Sequence, residues 1–129
     1  NKDISHQARG FLWKSIHGTF KLGDFWEKLG PEYMNRVYCP ECEVPETMEH
    51  ILIKCRIPGQ DIIWWLTKEL WKKKHNQWYL LSFGLTLGSP LVMIMDDEGK
   101  RNHGALRLYR ILMSEAVYLI WKKFNAKDE

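Results

Sequence analysis

Cys39, Cys42, His50 and Cys55 are the residues of this chain whose types and spacing could do chemistry together. They read C-x2-C-x7-H-x4-C and use all three cysteines of the sequence. Thiolate and imidazole are the donors a Zn2+ ion favours, and four protein donors fill its tetrahedron. With no position left for water, such a metal orders the chain around it and activates no substrate. The spacing therefore predicts one structural Zn2+. Two other readings compete with it. Free cysteine also behaves as a small buried hydrophobe, but here all three fall in one short window beside a suitably spaced His. A disulfide framework is opposed by the odd cysteine count and by a length of 129 residues, enough to bury a core of Trp, Leu and Ile without staples.

The elements that must position these donors are legible nearby. Pro40, with its fixed φ, favours a tight turn in which Cys39 and Cys42 face one ion while neighbouring backbone N–H groups point at sulfur. Residues 45–49 read as a helix start with acidic residues in the first turn, and Ile51, Leu52 and Ile53 continue it through His50. His50 and Cys55 are five apart, roughly 140° around an ideal helix. Cys55 must therefore lie on a loosened last turn or just past it, and Pro58-Gly59 agrees with an end there.

Farther out the pattern is mostly helical. Ala8, Phe11, Leu12 and Ile16 fall at helical spacing in 6–17, with Gly18 as a stop. Residues 23–31 read as a compact helix with Asp24 as N-cap, Gly30 as C-cap and Pro31 as barrier. Asp61 would cap a helix through Ile62, Trp65, Leu66, Leu70 and Trp71 that ends in Lys72, Lys73, Lys74 and His75, positive charge that suits a helix C-terminus. Residues 80–95 are irregular, with room for one short strand or hairpin. The last helix, about 104–124, presents Leu108, Leu112, Val117, Ile120, Trp121 and Phe124 over a wide face. The expected fold is mainly α: a single small helical domain over 1–129 in which a Cys3His zinc knuckle (36–57) is embedded between N-terminal helices (6–30) and C-terminal helices (60–75 and 104–124).

Composition agrees with a globular domain, at 45% hydrophobic and 27% charged residues. The formal charge of +3 permits a polyanion partner without requiring one. The sequence begins at Asn1 and reads as a piece of a longer polypeptide, with no secretory leader in view. Its most apolar uncharged stretch, Trp78 to Met95, is broken by Gly84, Gly88 and Pro90 and falls short of the ~20 residues of a membrane span. No membrane association is expected, and thiols committed to metal suit a reducing intracellular setting, nucleus or cytoplasm.

Catalytic patterns elsewhere fail on context. Asp96-Asp97 has the carboxylate pair that holds divalent metal in polymerases, but it runs into a polar turn and lacks a third carboxylate. His6, His17, His75 and His103 have no plausible Ser or Cys nucleophile assigned beside them, since the cysteines are committed to metal, and isolated histidines of this kind are most often surface or satisfied core residues. Gly84-x3-Gly88 lacks the Lys-Ser/Thr of a phosphate loop. No catalysis and no small-molecule substrate are expected.

Residues 11–18, then Gly23-Asp24-Phe25-Trp26, Cys39-Pro40-Glu41-Cys42 and residues 46–55 resemble the reverse-transcriptase zinc-binding domain near the C-terminus of non-LTR (LINE-type) retrotransposon polyproteins. Residues 106–116 and 119–122 resemble the tail of its fungal version, so the likeness covers nearly the whole chain. The resemblance implies a zinc-ordered module with Cys39, Cys42, His50 and Cys55 as ligands. It would help RNA or target DNA engage the polymerase, in company with reverse transcriptase or ribonuclease H domains of the same polyprotein. Between Cys39 and His50 the charges are Glu41, Glu43, Glu46 and Glu49 with no Lys or Arg, a segment that repels phosphate. Phosphate contacts are therefore expected from Lys72, Lys73 and Lys74, with Trp71 and Trp78 as stacking faces, and from Arg36, Lys54 and Arg56 beside the ligands. The rival expectation is a rigid docking platform for another protein domain, with the acidic knuckle facing the partner.

Overall fold

A computed structural model describes residues 3–75, 83–88 and 98–126, which are mainly helical and contain no sheet. Helix α1 (His6–Ile16) is capped by Ser5, whose hydroxyl accepts the Ala8 N–H at 3.2 Å, and it gives way to Gly18 at φ 62°. Ala8, Phe11 and Leu12 are buried, as their spacing predicts. Ile16, at the helix end, is 59% exposed and does not join them.

Helix α2 (Gly23–Leu29) follows an extended Leu22, so Asp24 is not its cap; it sits inside the first turn, where a carboxylate still favours the positive helix end. Gly23 sets that register. A Cβ there would stand 2.8 Å from the carbonyl oxygens of both Val37 and Glu46, and the Gly23 N–H donates to Glu46 O at 3.1 Å. The start of α2 is thus pressed onto the backbone that carries the first two cysteines. Gly30 closes α2 at φ 130°, and Pro31, expected as a barrier, instead opens a 3-10 turn (Pro31–Arg36). Gly23→Ala is expected to cost about 1–3 kcal/mol, as overfilled sites do. Thermal melts of the metal-loaded protein would read it, with Gly10→Ala as control, since a Cβ at Gly10 meets nothing within 4 Å.

Helix α5 (His103–Ala126) is the spine of the fold, about 36 Å long at 1.5 Å per residue. Asn102 caps it, Oδ1 accepting the Ala105 N–H at 3.0 Å. Against α5 lie α1, α3 (Gln60–Lys72), α4 (Phe83–Leu87) and the turn 50–54. Its buried stripe runs through Ala105, Tyr109, Met113, Val117 and Ile120, while Leu108, Leu112, Trp121 and Phe124 pack along the flanks, partly buried. In α3 four of the five expected residues turn outward, Ile62, Trp65, Leu66 and Leu70 being 49–60% exposed; of the expected set Trp71 alone is buried, beside Gln60, Trp64 and Thr67. Asp61 is again one place inside the helix, behind Gly59 at φ 108°.

The short strand expected in 80–95 falls largely outside the described residues; within them, 83–87 is helical and Gly88 N–H closes on Gly84 O at 2.8 Å as an ordinary helix end. Among the described residues, no helix is long and apolar enough to cross a membrane.

Candidate metal centre

The first two donors sit on a tight hairpin. Glu46 N–H donates to Val37 O, Cys39 N–H to Val44 O and Glu43 N–H to Cys39 O, each at 2.8 Å, around an antiparallel bridge between Tyr38 and Pro45. Glu43 turns the corner at φ 57°, a left-handed conformation uncommon for a residue with a Cβ.

The other two donors sit on a widened helical turn. Thr47 starts it, its Oγ1 accepting the His50 N–H at 3.0 Å. From His50 to Lys54 the backbone is a π-helix, and the Cys55 N–H reaches back five residues to His50 O at 2.7 Å. That widening solves the spacing. On an α turn Cys55 would be swung away from His50, whereas a five-residue ring returns it to the same side. Cys55 itself leaves in extended conformation. Carbonyls at a helix end lack partners of their own, and here α3 supplies them. Gln60 Nε2 donates to Ile51 O, and Trp64 Nε1 donates to Leu52 O at 2.8 Å. Neither residue carried a signal in the sequence beyond its place just after the last cysteine.

The four ligand atoms lie within 4.8 Å of one another, a group able to hold a metal ion. Cys39, His50 and Cys55 are buried and Cys42 is half-buried on the outer side. The Cys39 and Cys55 sulfurs are 3.7 Å apart, far from the ~2.05 Å of a disulfide. His50 Nε2 is buried with no hydrogen-bond partner. A stranded imidazole nitrogen among thiols is costly unless it has an ion to bind.

Electrostatics around the group are uneven. The Arg56 N–H, donating to Cys42 Sγ at 3.4 Å, holds that thiol below its ordinary range, whereas burial pushes Cys55 up to about 12. Burial also lowers the His50 pKa, with the Lys54 charge adding to it, so the ring is neutral at pH 7 and has a lone pair to donate. The N–H groups seen to act on sulfur include those of Arg56 and Ile57, past the last cysteine.

The six basic residues assigned to phosphate do not form one surface. Arg36, Lys54 and Arg56 flank the metal-binding group and are exposed, Lys54 resting 3.6 Å from Glu49. Lys72, Lys73 and Lys74 are exposed at the opposite end of α3, about 18 Å away along that helix. Trp71 is 1% exposed, edge-on to Tyr109, and offers no stacking face there; Trp78 lies outside the described residues, as do Asp96 and Asp97. No family model matches the chain, and no curated protein or solved structure matches it either.

Proposed function

We propose that this chain is a zinc-ordered, non-catalytic nucleic-acid-binding module, an accessory to a reverse transcriptase on the same polyprotein, as its resemblance to reverse-transcriptase zinc-binding domains implies. The observation that carries the reading is the convergence of Cys39, Cys42, His50 and Cys55. Two thiolates at about 2.3 Å from one tetrahedral ion stand roughly 3.8 Å apart, which agrees with the 3.7 Å between Cys39 and Cys55. Three sulfurs and one nitrogen select zinc over hard cations and leave it no open position for water. The ion's work is then to hold the hairpin and the π turn, and with them the exposed Arg36 and Arg56, in a fixed arrangement. Metal-loaded chain should bind single-stranded RNA, duplex DNA or a hairpin, measured by fluorescence anisotropy, with log affinity falling against log salt by about 0.7 for each phosphate neutralised on a single strand. Chelation should remove most of that affinity. A folded, zinc-loaded protein that binds none of the three at low salt would refute the reading.

A second reading has its own observation. Ile62, Trp65, Leu66 and Leu70 form an outward apolar stripe on α3, the kind of surface that docks on another domain. It is the reading left standing if nucleic acid is not bound.

A further inference from the structure

Beside the metal centre runs an open groove of about 960 Å³, walled by the end of α1, by α2 and the 3-10 turn, by the hairpin, and by the last turns of α5. Three cations line it: Lys14, Lys21 and Arg36. They face one carboxylate, that of Glu46, which is only 7% exposed. None of the three cations belongs to an ion pair among the described residues. The groove is also aromatic. Phe20 and Trp121 meet with ring centroids 4.4 Å apart, Arg36 lies 4.6 Å over the ring of Trp26, and Tyr38 on the hairpin is 44% exposed.

We infer that this groove is the track for a single strand of nucleic acid, with Lys14, Lys21 and Arg36 meeting phosphates and Tyr38 offering a face to an unstacked base. The inference rests on the nucleic-acid reading above and names its surface. Unpaired cations along a groove attract a polyanion and gain from releasing its counterions. Aromatic rings interleaved with them select the one polyanion that also carries free π-faces, since a duplex keeps its bases stacked on each other. The far end of α3 has the first property alone. Its Lys72–Lys74 run has a buried Trp71 behind it, so it can act as a charged cap without discriminating single from double strands. A free nucleotide shares phosphate and base with a strand, but one phosphate cannot engage cations spread over α1, the loop after it and the 3-10 turn.

The test uses the full zinc-loaded chain and a labelled oligouridine of roughly ten nucleotides, within the ~4–16-nucleotide site size of such grooves. An RNA duplex of equal length and uridine monophosphate serve as comparators. Lys21→Gln with Arg36→Gln should weaken oligouridine binding at least about tenfold and flatten the salt slope by about 1.4, two phosphates' worth. Tyr38→Ala should weaken it about five- to hundredfold, the range for loss of one base–aromatic stack, and change duplex binding little. Lys72, Lys73 and Lys74 changed together to Gln should weaken single-strand and duplex binding alike and leave the preference for the single strand intact, and the mononucleotide should compete poorly. Zinc content and melting temperature keep folding separate from binding in every variant. Loss in the Lys72–Lys74 variant with the groove variants unaffected would overturn the groove and leave the nucleic-acid module standing. Duplex bound as tightly as the single strand would overturn the track, as would a mononucleotide that competes as well as the oligomer. Wild-type protein that binds no probe would overturn both this inference and the reading beneath it.

Discussion

Purified with zinc available, the chain is expected to carry one equivalent of the metal, and Cys42→Ala or His50→Ala to lose it together with the order of residues 36–55. Structural zinc in finger-like peptides contributes on the order of 10 kcal/mol that is also folding energy, comparable to the whole stability of an ordinary domain. The hairpin cannot replace it. Residues 37–46 are held to one another by three backbone bonds, two of which make the Tyr38–Pro45 bridge, and an isolated hairpin is marginal in water. The loss should stay local. α1, α3 and α5 meet through Phe11, Trp71, Tyr109 and Val117, which are no part of the metal group. Far-ultraviolet circular dichroism should therefore keep most of its helical signal while amide exchange protection collapses over 37–55. Elemental analysis without zinc, or a Cys42→Ala protein with native stability, would be incompatible with this account.

The second large effect lies at the other end of α3. Trp71→Ala is expected to cost about 3–5 kcal/mol, the usual range for removing a large aromatic from a core, with zinc still bound. Trp71 is 1% exposed and meets Tyr109 edge-on at 5.7 Å between ring centroids. Trp65→Ala, on the same helix but 60% exposed, should change stability by no more than about 0.5 kcal/mol. Denaturant midpoints at constant slope would read both. A costly Trp65→Ala beside a neutral Trp71→Ala would mean that α3 presents its other face to the core.

That contrast shows where sequence reading reaches its limit. The metal group was legible because ligand chemistry is carried by residue identity and local spacing, and both survive without knowledge of the fold. Helices α1 and α5 were legible from their apolar period, and α1 also from the stop at Gly18, with ends displaced by one or two residues. The inward face of α3 was not. Residues 62–71 carry apolar side chains around most of the helix, so period alone offers two stripes, and contact with α5 and with the carbonyls of Ile51 and Leu52 decides between them. Asp24 and Asp61 misled for a related reason: each follows a position fixed by tertiary contact, Gly23 against the hairpin and Gln60 against the π turn, and the helix starts there instead of at the acid. Stacking at Trp71 was misjudged because exposure is a property of the assembled fold.

The π turn also bears on modularity. The gap between His50 and Cys55 and the wide backbone that spans it are one constraint, and that backbone leaves two carbonyls for Gln60 and Trp64 to satisfy. The portable unit is thus longer than the ligand set suggests. A segment cut at residue 57 and grafted onto another scaffold would carry every ligand and still strand the oxygens of Ile51 and Leu52 at a buried seam; one cut after Trp64 would bring its own partners. Insertions should be damaging anywhere between the hairpin and Trp64, where they part the ligands from these partners, and again between Trp64 and Trp71, where they would rotate Trp71 out of the core.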